Sequence, residues 1–113
     1  MLFTVSDLSF VDTPAYATFA EAYFIAFGEQ ARLPLVSALA FDATNLVFNG
    51  IETVGIVDEA GTLHIGRQAL RDTLFATMGF EGVSGTVTCN QLGDCGAYGF
   101  TVVRVENGEL VPA

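Results

Sequence analysis

A chain of 113 residues is the size of one domain. Its 13 acidic side chains outnumber 4 Lys and Arg, for a formal net charge of −9, which argues against nucleic acid or anionic lipid as a partner because both need clustered cations. Hydrophobic residues make up 51%, charged ones only 15%, and the mean hydropathy is +0.50, so part of the apolar surface is expected to face a neighbour rather than water.

Leu2-Phe-Thr-Val5 is a short β-prone apolar run and reads as a buried strand ended by Ser6 and Asp7. The N-terminus lacks the basic stretch that opens a signal peptide. No apolar run reaches the ~18–20 residues that a membrane helix needs. Asp12-Thr13-Pro14 is a helix start, with Pro at the first helical position and a capping residue before it. Ala15, Phe19, Ala22, Tyr23 and Ala26 then recur at helical spacing through Phe27, and Gly28 is the stop.

After a connector from Glu29 to Pro34, a second helix is expected from about Val36 to Val54. Leu39, Ala43, Leu46, Val47, Gly50, Ile51 and Val54 share one of its faces. Ile56 to Ile65 carries the turn Asp58-Glu-Ala-Gly61 and reads as a small hairpin. A third helix is expected over Arg67–Met78, with Leu70, Leu74 and Phe75 inward and Gly79 ending it. Val83–Cys89 reads as a strand, Gly93-Asp94 as its turn and Tyr98–Val105 as its return. Asn107-Gly108 is a type I′ turn signal, after which Glu109–Val111 adds a short pairing.

Cys89 and Cys95 bracket the turn 90–94, which places them near-opposite on paired strands and within disulfide reach. A bond there would contribute about 2–3 kcal/mol by closing a short loop and would point to an oxidising compartment. Two unpaired thiols in a reducing cytosol are the other reading. A zinc site lacks ligands, because His64 is the sole histidine and no further Cys completes four.

No constellation for catalysis is apparent. His64 sits in an extended Leu-His-Ile stretch and reads as a structural or surface residue. Asp58 and Glu59 read as solvated turn charges, and Asp94 lacks the oxygen-ligand spacing of a calcium loop. There is no G-x-S-x-G, P-loop or G-x-G-x-x-G. The chain therefore reads as a non-enzyme with no cofactor. In open parallel α/β sheets, ligands sit beyond the carboxyl ends of the strands. If Leu2–Val5 is such a strand, Ser6 and Asp7 border a crevice; a plain strand exit is the alternative.

Four segments in order carry a resemblance: Phe19-Ala-Glu-Ala-Tyr-Phe-Ile-Ala-Phe-Gly28, Ala40-Phe-Asp-Ala43, Arg67–Leu74 with Phe80-Glu-Gly-Val-Ser-Gly-Thr-Val87, and Gly93-Asp94. Together they resemble the closing part of type I periplasmic binding proteins, the extracytoplasmic solute receptors of branched-chain amino acid ABC transporters. Phe41 stands where that family usually has Tyr. The resemblance spans nearly the whole chain. It implies an α/β fold, three helices on a short, mostly parallel sheet with a C-terminal β-hairpin. Residues 1–82 would complete the first lobe, and 83–113 would cross the hinge and end in the hairpin.

The resemblance further implies that the chain corresponds to the last third of a receptor. That receptor would bind amino acids or similar small polar solutes between two lobes and dock on an ABC permease at the outer side of the membrane. Its partners would be the solute, the permease and the missing N-terminal part. Val36 and Ser37, at the start of the long helix, would line the cleft with Ser6 and Asp7. A self-contained secreted α/β interaction module without transport is the second hypothesis.

Overall fold

A computed structural model describes residues 1–6, 9–34, 36–96 and 99–113, with the Ser6 side chain outside the description. The strand β1 spans Leu2–Ser6, and a short 3-10 helix covers Ser9–Asp12. The helix α1 runs Pro14–Phe27, the bounds that its end residues predict. The Thr13 hydroxyl accepts the Tyr16 N–H at 3.2 Å and donates to the Phe10 carbonyl at 2.7 Å, so one side chain caps the helix and ties it to the turn before it. Gly28, at φ +90°, ends it.

The helix α2 runs Val36–Val54, and α3 covers Arg67–Phe75, three residues short of the expected end at Met78. The chain leaves α3 through the Ala76 N–H bonded to the Asp72 carbonyl and the Thr77 N–H bonded to that of Leu74. The helices α2 and α3 meet at Gly50, where a Cβ would come within 2.8 Å of the Leu70 side chain. Between them lies the expected hairpin of β2 (Ile56–Val57) and β3 (Leu63–His64).

Every strand pairing among the described residues is antiparallel, in three small sheets of two or three strands. This corrects the mostly parallel sheet. A short uniformly apolar run such as Leu2–Val5 reads as a buried strand whatever the direction of its neighbour, and the two strand types cannot be separated by periodicity alone. The α/β class stands.

The return strand of the 83–89 segment is also corrected. Phe80–Gly82 forms a strand of its own, β4, paired back on β5 (Gly85–Cys89) through the tight turn at 83–84. The return of β5 is the two-residue β6, Cys95–Gly96. Phe100–Glu106 is β7, and it pairs with β1 and with β8 (Glu109–Pro112). Tyr98 lies outside the described residues. The β7–β8 turn has Asn107 at φ 53° and Gly108 at φ 86°, both left-handed as a type I′ turn requires.

Burial is sparse. Phe10, Ala38, Val87 and Val103 are the buried apolar residues among those described, and no large side chain is fully enclosed. The radius of gyration is 18.1 Å with principal extents of 66 × 38 × 19 Å, against about 13 Å for a compact chain of this length.

Candidate functional site

A buried carboxylate that is not among the expected site residues ties a helix to a turn. Asp42 lies one helical turn after Ala38 on the buried face of α2. Its Oδ1 accepts the Val83 N–H at 2.7 Å, and its Oδ2 accepts the Ser84 N–H at 2.7 Å and the Ser84 hydroxyl at 2.5 Å. One carboxylate thus satisfies three donors at the β4–β5 turn, including two backbone N–H groups. Both Asp42 and Ser84 are buried. A Cβ at Gly82 would overlap the carboxylate, so the turn can approach only with glycine there. The latch joins two of the segments that carry the family resemblance, Ala40-Phe-Asp-Ala43 and Phe80-Glu-Gly-Val-Ser-Gly. Nothing in the local sequence marks Asp42 beyond its place in the family-like segment Ala40-Phe-Asp-Ala43, because its donors lie 41 and 42 residues later.

Beside the latch, α1 and α2 frame an open groove of about 420 Å³, lined by Phe19, Tyr23, Phe27, Phe41 and Val83 with the small residues Ala15, Ala22 and Ala26. Phe19 and Phe41 hold its walls together at 5.0 Å between ring centroids, and Tyr23 and Phe27 meet in a tilted contact at 4.7 Å. Its two hydroxyls are already engaged. That of Thr18 donates to the Pro14 carbonyl and that of Tyr23 to the Arg32 carbonyl. The groove therefore offers apolar contact and no uncommitted hydroxyl hydrogen for a carboxylate. It is suited to packing against another apolar surface.

The expected cleft residues fall elsewhere. Ser6 ends β1, opposite Phe100 in the register. Because that pairing is antiparallel, the carboxyl-end rule for parallel sheets does not apply to it. Asp7 lies outside the described residues. Val36 is exposed at the first turn of α2, and Ser37 donates its N–H to the Pro34 carbonyl at 2.9 Å. Among the described residues no hydrogen bond joins the start of α2 to β1.

In the β2–β3 hairpin, Asp58 does more than the solvated charge expected of it. Its Oδ1 accepts the N–H groups of Ala60 and Thr62, both at 2.9 Å, and its Oδ2 meets the His64 ring at 2.8 Å. The His64 ring, and then the Thr62 N–H, hold the Asp58 carboxyl below its ordinary value of 3.8. Cys89 and Cys95 are register partners on β5 and β6 and are joined by a disulfide. No group of three or more His, Cys, Asp or Glu among the described residues is placed to hold a metal ion. Among the described residues no helix is long and apolar enough to cross a membrane.

No protein-family profile and no curated protein sequence matches the chain. Among solved structures, the leucine-binding protein LivK of Thermotoga maritima matches it with a TM-score of 0.62 at 24% identity. The match takes in 100% of this chain and 29% of LivK. The chain is therefore similar in fold to a portion of LivK and spans less than a third of that protein's length.

Proposed function

We propose that this chain is part of an extracytoplasmic solute-binding receptor of an ABC transporter, a type I periplasmic binding protein that takes amino acids or similar small polar solutes between two lobes. The observation that carries the reading is the match of the whole chain to 29% of a leucine-binding protein. The sparse core and extended shape support it. A unit that buries four apolar residues among those described leaves apolar surface for the remainder of such a fold to cover. The helix α1 points the same way. It carries apolar residues on all sides, as helices in the interior of larger proteins do, and none of its residues is buried.

In this reading, residues 1–82 complete the first lobe and 83–113 cross the hinge and finish the fold. Ser6, Asp7, Val36 and Ser37 border the cleft as one wall. The solute's charged groups are gripped by residues outside this chain. The partners are the small solute, the rest of the receptor and an ABC permease that docks on the closed form. The disulfide supports an oxidising, extracytoplasmic compartment. The DNA upstream of Met1 tests the reading. A reading frame continuing in phase to a signal peptide is the expected result. A stop codon with a ribosome site directly upstream would favour a self-contained secreted module instead.

A further inference from the structure

We propose that the Cys89–Cys95 disulfide is an exchangeable clasp, opened by a dithiol, that holds the strand β6 in place and is not needed by the turn it spans. The turn is closed by other means. The Asn90 N–H donates to the Asp94 carbonyl at 2.9 Å and the Gly93 N–H to the Asn90 carbonyl at 3.0 Å. The Asn90 side-chain oxygen accepts the N–H groups of Leu92 at 2.8 Å and Asp94 at 3.1 Å. Gly93 also lies so close to the Phe75 ring that a Cβ would overlap it. This self-closing Asx arrangement needs no covalent help.

The strand β5 is likewise anchored without the disulfide. It pairs with β4, the Cys89 N–H donates to the Thr77 carbonyl at 2.9 Å, and the Thr88 hydroxyl accepts the Gly79 N–H at 3.1 Å. By contrast, β6 is two exposed residues, paired among the described residues only as Thr88↔Gly96 and Cys89↔Cys95. So short a strand has little of its own to hold it. It nonetheless walls a small cavity of about 120 Å³ beside Asp42 and Ser84 and leads on towards β7. The covalent bond is what fixes it there.

The bond is open to attack. Cys95 is exposed and Cys89 half-buried. A thiolate of the dithiol attacks Cys95 Sγ, the sulfur–sulfur bond breaks, and Cys89 leaves as a thiolate that takes up a proton. The second thiol of the reductant then attacks its own sulfur in the mixed disulfide and releases Cys95. The dithiol is oxidised to a disulfide, and the protein pair gains two electrons and two protons.

Residue-resolved amide exchange on the full chain, oxidised and then reduced with dithiothreitol, tests the clasp. The Gly96 amide should exchange at least about tenfold faster after reduction, while Leu92, Gly93 and Asp94 keep their rates, as expected of local opening. The double variant Cys89→Ser with Cys95→Ser should match the reduced protein. A single-thiol probe, glutathione, should be found by peptide mass spectrometry on Cys95. An unchanged Gly96 rate, an equal rise through the 90–94 turn, or glutathione on Cys89 would each overturn the proposal.

Discussion

The body built from α2, α3, β4 and β5 and the sheet β1–β7–β8 solve the same problem differently. In the body, one buried carboxylate fixes a turn to a helix through three hydrogen bonds, and Gly50 and Gly82 let backbone and side chains approach closely. The sheet has regular pairing through two ladders, yet only Val103, at 8% exposure, is buried among its described residues. Leu2 is 67% exposed, Phe100 74% and Leu110 61%. Both regions pair their strands in antiparallel ladders. Only the body also buries what it has brought together. Hydrogen-bonded ladders hold geometry, but without burial they contribute little net stability.

The sharpest way to break this comparison is to remove the latch. Asp42→Ala leaves the Val83 and Ser84 donors without their acceptor, and should cost about 3 kcal/mol in urea unfolding, as when buried donors are left unsatisfied. A loss below about 1 kcal/mol would mean that the turn is held by β4–β5 pairing alone. Gly82→Ala should cost about 1–3 kcal/mol by the same readout, because its Cβ meets the carboxylate.

The sheet should respond more weakly and unevenly. Val103→Ala removes the one buried side chain and should cost about 1.6 kcal/mol at ~0.8 kcal/mol per buried carbon. Val105→Ala, two residues along on the same face, should stay within about 0.5 kcal/mol. Equal losses at both positions would show that the sheet has cover in solution that the isolated fold lacks.

These regions also differ in how far they could be read from the residues. The ends of α1 are written locally, in Thr13-Pro14 and Gly28, so they coincide with the structure. The length of α2 follows from its apolar periodicity. The disulfide register follows from a short turn between two cysteines. The partner of β7 is β1, almost a hundred residues away on the scale of this chain, and no local pattern specifies it. That is why Tyr98–Val105 reads as the return of the 83–89 strand and Leu2–Val5 as a parallel strand. Asp42 was legible only as part of a family-like segment, because its donors lie 41 and 42 residues later. The cleft candidates Ser6 and Asp7 rested on a parallel sheet, and Val36 and Ser37 on resemblance alone.

The smallest expected effect lies in the β2–β3 hairpin. The folded Asp58 carboxyl is held below its ordinary 3.8 by the His64 ring first and then by the Thr62 N–H. Its contribution is therefore present above that value and is lost as the pH falls through the lowered folded one. His64→Ala should move the Asp58 titration, followed by NMR, up towards its ordinary value. An unmoved titration would assign the effect to the backbone donors alone. The exposed pair should leave overall stability almost unchanged.

The central claim is that this chain supplies one wall of a cleft and leaves apolar surface for the rest of a receptor to cover. Calorimetry of the chain with leucine tests it most directly. Small-ligand affinity in a clamp comes from burying the ligand between two walls that fix its polar groups. The open groove between α1 and α2 is apolar, and its two hydroxyl hydrogens are already donated to carbonyls. Binding no tighter than about millimolar, roughly −4 kcal/mol, is the predicted result. Micromolar binding by this chain alone would mean that a complete pocket exists within it and would contradict the account.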